Sequence, residues 1–557
     1  MAMDIIAAAR GYIDRIVSHK ALRKESNVGK VLILDAYTTQ VVANVYSQTQ
    51  ILENDFYLVE QLGSDHEPMP HLKAAVFVRP TAENVAILSR EFADPQFKEY
   101  HLFFSNILSL DLLQALAESD EHEVVKQVQE FYGDFIAVNE DLFSLNMGDS
   151  LRLSAPSGAF DTTAIFDRTA QGLLSVLLSM KVEPSQIRYQ GGSQMAQRLA
   201  VEVDKRIQGD GIFHFTRQEG PMLLILDRKC DPVTPLLSQW TYQAMVHELL
   251  GLNNNRVVLK GAPGVSKDME EVVLSSTQDT FFAQQRHANF GDLAGSIKEL
   301  LDDFQKNKKL NENISSVEDM QSFMERYPAF RSQSHNVSKH VALMSELSRL
   351  VNHCSLMDVS QLEQDLACND EHSAQFKELM NSIRAEHVKS ADKLRLAILY
   401  SLRYEETANI AQLKRELIDG GVQQHKVDIL DVVLRYAGKT QRAPGLYGDR
   451  SFMSRMAKNL QTGLNGVENV YTQHQPLMMG TLDAAIKGKL RESAYPAIGP
   501  IPGAQPRSIV VFIVGGATYE EGTKVAELNA SNPGVQILLG GNTIHNSVSF
   551  LEELRVL

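Results

Sequence analysis

The sequence predicts an α/β multidomain fold: two doubly wound parallel-sheet domains, with a large, mostly helical domain inserted into the second. Three observations carry that expectation. Short unbroken apolar runs, among them Lys30–Leu34, Ala74–Val78 and Met222–Leu226, match strands covered on both faces. Segments with apolar residues at i, i+3 and i+4 alternate with those runs before residue 250. From Thr280 to about Val470 the runs stop and helical spacing continues alone. A chain of 557 residues also exceeds what one core holds, so roughly two to four domains are expected.

Taken in order, Met1–Val17 reads as an amphipathic helix on a core, because Asp4 and Arg10 among apolar residues at helical spacing suit that better than a signal peptide. Lys30–Leu34 is a buried strand ending at Asp35. Phe56–Val59 and Ala74–Val78 are further strands, the second closed by Arg79-Pro80, and Thr81 caps a helix through Ala93. Tyr100–Phe104 is a strand, Leu110–Ala117 and Val124–Phe131 are helical, and Phe135–Val138 is a final strand. These elements define an N-terminal α/β domain over residues 1–140.

The second α/β region opens near Asp141, with a helix at Ile165–Met180, a strand at Ile187–Tyr189 and a helix from Gln194 to Ile207. Its strand Met222–Leu226 ends at Asp227, and Pro232 with Pro235 prevents the ladder from continuing. A helix is expected from there to Gly251, with Thr234 as N-cap and Pro235 at its first position. Tyr242, Val246, Leu249 and Leu250 recur at helical spacing, and Gly251 can end the helix in the left-handed region. Residues 246–474 then form the helical domain, carried by Leu293–Phe304, Val317–Tyr327, Val337–Val351, Leu362–Leu366, Phe376–Ile383 and Ala391–Leu402. Strand and helix chemistry resumes after the Pro/Gly stretch Tyr495–Arg507, at Ile509–Val514, Val535–Leu539 and Val548–Leu554. A tail of about fifty residues cannot cover both faces of its own sheet. Residues 475–557 are therefore expected to complete the sheet of residues 141–245 as one discontinuous domain.

Composition excludes several classes. A net charge of −15 argues against nucleic acid, because phosphate binding needs a basic face. Three scattered cysteines make neither a disulfide framework nor a zinc site, which places the chain in a reducing cytoplasm. No apolar run approaches the ~20 residues that span a bilayer, so any membrane role is peripheral. Asp227, Arg228, Lys229 and Asp231 could be read as two carboxylates beside a base, but they read better as caps and a pair for Arg228. A lone Cys230 beside Asp231 is poorly activated. The loop Gly515–Lys524 sits between a strand and a helix, where a phosphate cradle belongs. Its wording fails the P-loop spacing, and Glu520 and Glu521 would repel a phosphate. GAPGVSK at Gly261–Lys267 fails the same test. Histidines 66, 71, 335, 340 and 545 lack the pairing of a metal helix, and HExxH, CxxC and GxSxG are absent.

Two other stretches are open on their residues alone. Met320, Phe323, Met324 and Tyr327 make one apolar stripe, Pro328 breaks the helix, and Val337, Val341, Met344 and Val351 begin another. That is either a hairpin packed in a core or an amphipathic groove for partner helices. Leu110, Leu112 and Leu113 leave more apolar surface than one helix face needs, with Val125 and Glu130 on the next helix.

Three long collinear motifs carry a family resemblance. They are LLILDRKCDPVTPLLSQWTYQAMVHELLG ending at Gly251, SIVVFIVGGATYEE at Ser508–Glu521, and LLGGNTIHNSVSFLEEL at Leu538–Leu554. Together they resemble the SM proteins, cytosolic chaperones of SNARE assembly in vesicle fusion, and the wording at Trp240–Tyr242 is nearest the endosomal branch. The resemblance implies an arch-shaped, non-enzymatic protein without catalytic residues, metal or cofactor. It implies binding to a syntaxin-type Qa SNARE, to that SNARE's N-terminal peptide and to the other SNAREs of the fusion complex, with Rab-effector tethers as further partners. It implies a cytoplasmic protein held peripherally on trans-Golgi network, endosomal or vacuolar membranes. By residue, it implies that Leu113, Val125 and Glu130 are the wall, floor and acidic rim of the peptide pocket. Asp35 becomes a SNARE contact in the inner cleft, while Ser47 stands where neuronal relatives carry a basic residue, which speaks against a tight clamp on a closed syntaxin. ERYPAF matches the point where the family's central hairpin bends or extends, making Pro328 its hinge and Val341 a residue facing a SNARE.

Overall fold

The structure, a computed structural model, describes residues 3–18, 29–65, 67–155, 159–209, 211–213, 215, 220–312, 317–447, 471–499, 501 and 505–557, with the backbone alone at 307–312, 317–330 and 332. It divides into two compact units, Met1–Arg228 with Thr481–Ala517 and Lys524–Ile544, and Lys229–Gly480 with Thr518–Thr523 and His545–Leu557.

In the first unit, helix α1 (Ile5–Val17) precedes a five-stranded sheet of β1 (Lys30–Leu34), β2 (Phe56–Gln61), β3 (Met69–Val78), β4 (Phe97–Phe104) and β5 (Val125–Glu130). The order is β2-β1-β3-β4-β5 and every neighbouring pair is parallel. Helices α2 (Ala36–Val45), α3 (Gln48–Leu52), α4 (Ala82–Ala93) and α5 (Leu110–Ser119) connect these strands. Alternation along the strands sorts two cores. Leu32, Leu34, Ala75, Phe77 and Phe103 pack with α1 and α2, while Val31, Ile33, Ala74, Val76, Val78, Leu102 and Phe104 pack with Leu88 and Phe92 of α4. This two-sided burial is what the continuous apolar run of β1 predicts.

The second sheet has the order β12-β8-β9-β13-β15-β7-β6. Its members are β6 (Ile136–Asn139), β7 (Leu142–Ser144), β8 (Gln186–Tyr189), β9 (Met222–Asp227), β12 (Ala497–Ile498), β13 (Ser508–Val514) and β15 (Gln536–Gly541). A ribbon of β10 (Arg256–Val258) and β11 (Glu271–Val273), and the two-residue β14 (Ala517–Thr518), lie outside this sheet. Strand β13 runs parallel between β9 and β15, with Val510 opposite Leu223 and Leu538. The C-terminal strands therefore occupy the middle of a sheet begun before residue 228. Helices α6 (Thr163–Met180) and α7 (Gln194–Gly209) bury Leu173, Leu174, Leu177, Leu199 and Val203 against it.

The second unit is helical. Its elements are α8 (Tyr242–Leu249), α9 (Thr280–Gln285), α10 (Phe290–Glu312), α11 (Val317–His353), α12 (Leu356–Cys368), α13 (His372–Arg384), α14 (Ser390–Arg403), α15 (Ile410–Asp419), α16 (Gln424–Val427) and α17 (Ile429–Ala437). Arg395 on α14 is buried among Glu363 at 2.9 Å, Asp392 at 2.7 Å and the Leu236 carbonyl at 2.9 Å. Helices α18 (Met478–Ile486), α19 (Tyr519–Ser531) and α20 (Ser547–Arg555) complete the chain.

Four expectations are corrected. Val124–Phe131 is not helical: Val125–Glu130 is the edge strand β5, paired with β4 through Tyr100 opposite Val125. Its valines at three-residue spacing imitate a helix period, but β-branched residues beside an open strand edge favour pairing. The strand expected at Phe135–Val138 is β6, which pairs antiparallel with β7 in the second sheet. The helix expected from Thr234 is only a single 3₁₀ turn, Thr234–Leu236, and the α-helix starts at Tyr242. Between them the chain is held extended by tertiary partners: Ser238 N–H donates to Glu363 at 2.6 Å and the Trp240 indole N–H to Ser360 at 2.8 Å. Last, Pro328 does not break its helix, because α11 runs unbroken from Val317 to His353.

Candidate functional site

The apolar surface expected beside α5 is present at the sheet's β5 edge. Ser109 caps α5, and Leu110 and Leu113 are left 81 % and 38 % exposed. Leu112 and Val125 are half-buried on the core beneath, and Val128 adds a further 38 % exposed side chain that the sequence did not single out. Asp120 fixes the entry to β5 by accepting from the N–H groups of Val124 at 2.8 Å and Val125 at 3.0 Å. Glu130 lies at the other end of the strand. Its carboxylate accepts from Leu108 N–H at 2.8 Å and from the Tyr132 hydroxyl at 3.0 Å, tying the end of β5 to the approach to α5. The register slips between Val125 and Gln127, so Val125 and Glu130 stand opposite Tyr100 and Phe104 of β4, which pack in one core, and the two face the same side of the sheet.

Asp35 is the N-cap of α2. One carboxylate oxygen accepts from Tyr37 N–H at 2.9 Å and Thr38 N–H at 2.7 Å, the other from Arg79 N–H and Asn84 Nδ2, both at 2.7 Å. Those four bonds use most of its accepting capacity inside the fold. Ser47 caps α3 in a box with Gln50. Beside Asp35, Tyr37 lies against two guanidiniums, Arg79 at 5.4 Å and Arg168 at 5.0 Å from its ring centre, and both arginines pair with buried Asp134. This charged cluster was not anticipated, because its members come from four widely separated stretches of the chain.

In the signature stretch, Asp227 accepts from the hydroxyls of Ser154 at 3.0 Å and Ser193 at 2.6 Å. Arg228 is buried and donates to the Gly516 carbonyl at 3.0 Å. Asp231 accepts from Thr234 N–H at 3.1 Å, the Thr234 hydroxyl at 2.7 Å and Leu477 N–H at 3.1 Å. Asp231 caps and closes the turn as the residues suggested, whereas Asp227 holds side-chain hydroxyls from two distant segments. Gly515 and Gly516 sit at φ of +89° and +98°, a conformation that glycine adopts without strain. In the loop that follows, Glu521 accepts from Thr518 N–H at 2.9 Å and its hydroxyl at 3.1 Å. A carboxylate of the chain itself thus occupies donors at the start of α19 that a phosphate would need.

On α11, Pro328 lies within the continuous helix and Val341 is half-buried. The stripe at Met320, Phe323, Met324 and Tyr327 falls where only the backbone is described, and His66 lies outside the described residues. His340 is fully buried and bonded at both ring nitrogens. Among the described residues, no group of three or more His, Cys, Asp or Glu is placed to hold a metal ion, and no helix is long and apolar enough to cross a membrane. Burial pushes the Cys368 thiol up to about 12.

Known proteins match this chain along nearly its whole length. It is 45% identical over 560 residues to human vacuolar protein sorting-associated protein 45, covering 99% of this chain and 96% of that protein. The Saccharomyces cerevisiae protein of the same name is 33% identical over 577 residues, covering 99% and 100%. Among solved structures, the SM protein Vps45 in complex with the Qa SNARE Tlg2 is 42% identical with a TM-score of 0.90, covering 100% of this chain and 98% of that one. Sly1p, solved with an N-terminal peptide of Sed5p, is 18% identical with a TM-score of 0.79 and shares the fold. The Sec1 family profile matches residues 30–553, and the chain belongs to the Sec1 family.

Proposed function

We propose that this chain is an SM-type regulator of vesicle fusion that binds a syntaxin-type Qa SNARE and templates assembly of the SNARE complex. The observation that carries the reading is the end-to-end match with a Vps45 that was solved holding a Qa SNARE. The exposed apolar side chains of Leu110 and Leu113 on α5 and of Val128 on the edge strand support it, because uncovered apolar surface beside a sheet edge suits a short partner peptide.

In this reading, residues 1–140 carry the peptide pocket at Leu113, Val125 and Glu130. Residues 141–245 with 475–557 form the discontinuous α/β domain, and 246–474 the helical domain. Asp35 acts in the inner cleft by holding Tyr37 and Arg79 in place. The pair α10 and α11 is the templating hairpin, with Val341 on its SNARE-facing side and Pro328 as a soft point in a continuous helix. The protein performs no chemistry and needs no cofactor. It works in the cytoplasm, on Golgi, endosomal or vacuolar membranes, held there through SNAREs and tethers.

Capture from a detergent extract on the immobilised chain tests this reading. A syntaxin-type SNARE should be among the main proteins retained. Its absence would favour a generic helical scaffold, and equilibrium binding of ATP or GTP at millimolar concentration would favour a nucleotide-dependent enzyme. The Glu521 carboxylate at the start of α19 speaks against that alternative.

A further inference from the structure

Helix α11 is 37 residues long, and among its described side chains Val337, Leu343, Leu347 and Val351 form a buried apolar seam. At the start of that seam, Asn336, Lys339 and His340 lie at i, i+3 and i+4, one face of one turn. All three donate to a single buried carboxylate, Asp279. Its Oδ1 accepts from Asn336 Nδ2 at 3.4 Å and, as the N-cap of α9, from Phe282 N–H at 2.9 Å. Its Oδ2 accepts from Lys339 Nζ at 2.5 Å and His340 Nε2 at 3.0 Å. Lys339 also donates to the Val273 carbonyl of β11 at 3.1 Å.

The other nitrogen of His340 closes the cluster. Asp279 can only accept, so the ring proton belongs on Nε2 and Nδ1 is left to accept from the Tyr242 hydroxyl at 2.7 Å. Tyr242 is the first residue of α8, inside the signature stretch. Burial holds His340 below the usual imidazole range and Tyr242 well above the usual phenol range, so both stay neutral. Among the described residues, Lys339 is the cation that balances the charge of Asp279.

An apolar seam by itself defines the position of a helix poorly, since valine and leucine one turn apart offer similar surfaces. A buried carboxylate with a fixed set of donors does not tolerate that shift, because displacement leaves it charged and unpaired. We propose that Asp279, Lys339, His340 and Tyr242 form a registry clamp that sets the axial position and rotational phase of α11. Because α11 is continuous from Val317, the phase set at residue 340 is transmitted to its upstream half and decides which face that half presents to SNARE helices. The last step rests on the templating reading above. The clamp itself does not.

The test uses a triple variant of the full chain, Asp279→Asn with Lys339→Met and His340→Leu, which retains an acceptor for Phe282 N–H and leaves no unpaired buried charge. Tyr242→Phe serves as a milder second variant. Spin labels at His335→Cys on α11 and Lys377→Cys on α13, both exposed positions, are introduced in a Cys368→Ser background and their separation is measured in the protein alone. The parent should give one narrow distance. The triple variant should broaden it or add a population displaced by about one helical turn, ~5 Å, with Tyr242→Phe in between. Its rate of SNARE assembly should fall about tenfold or more, as misplacement of a supporting element does elsewhere. An unchanged distance distribution in the triple variant overturns the clamp, whatever the assembly rate. A broadened distribution with an unchanged assembly rate upholds the clamp and overturns the templating reading.

Discussion

Leu113 illustrates what single residues decide here. At 38 % exposed it is stable without a partner, so its apolar surface is available for binding. In Leu113→Arg the guanidinium can reach water in the free protein, and the penalty appears only when a peptide covers it. Affinity for a syntaxin N-terminal peptide should drop by about tenfold to a hundredfold, with the melting temperature unchanged. Calorimetry giving parental affinity would refute the pocket. His287 makes a different kind of prediction. It accepts from Arg286 Nε at 3.1 Å and faces the Thr523 hydroxyl at 3.0 Å, and burial lowers its pKa from 6.5 to about 4. A depressed histidine favours folding above its unfolded pKa and withdraws that stability as pH falls from 6.5 towards about 4. The parent should lose about 2 kcal/mol through this group between pH 7 and pH 5. His287→Gln should show a shallower decline in denaturant midpoint over the same range, and parallel declines would show that the group does not titrate as described.

At the scale of elements, the informative cases are those where periodicity and environment disagree. Val124, Val125, Val128 and Phe131 carry a helix-like spacing, yet the segment supplies the edge strand of the first sheet. Pro328 has the opposite history: a residue that should stop a helix is contained within one of 37 residues. Interior proline removes one hydrogen bond and crowds the carbonyl one turn earlier, a cost of about 3 kcal/mol that packing has to offset. Because the extended helix is already the observed state, Pro328→Ala has little room to increase its population. SNARE assembly should therefore accelerate by no more than about twofold, since a population cannot exceed one. Amide exchange around residues 324–332 should slow several-fold. Acceleration by tens of fold in a reconstituted fusion assay would mean that the free protein is mostly bent.

The second sheet sets the terms for the whole molecule. Strands from residues 136–144, 186–227 and 497–541 interleave in it, and β13 from the C-terminal segment has β9 on one side and β15 on the other. A chain ending at residue 500 would lack both β13 and β15, leaving β9 and β7 with open edges and their apolar faces uncovered. Such a fragment should show no cooperative thermal transition and should be cleaved quickly by protease. A melting curve like that of the full chain would contradict this dependence.

Periods of two and 3.6, caps, breakers and three long motifs are local properties, and they determined the α/β class, most strands and helices, and the family. The continuous apolar run at Lys30–Leu34 announced two-sided burial, and the wording around Trp240–Tyr242 by itself pointed to the endosomal branch. Tertiary structure decided what depends on distant partners. Val125–Glu130 became a strand because β4 had a free edge beside it. The segment after Thr234 stayed extended because Glu363 and Ser360, more than a hundred residues away, hold its N–H groups. Asp279 gathered donors from residues 336, 339 and 340, some sixty positions along the chain. No local spacing encodes such convergence, because a buried charge is stable only where the folded chain returns to meet it.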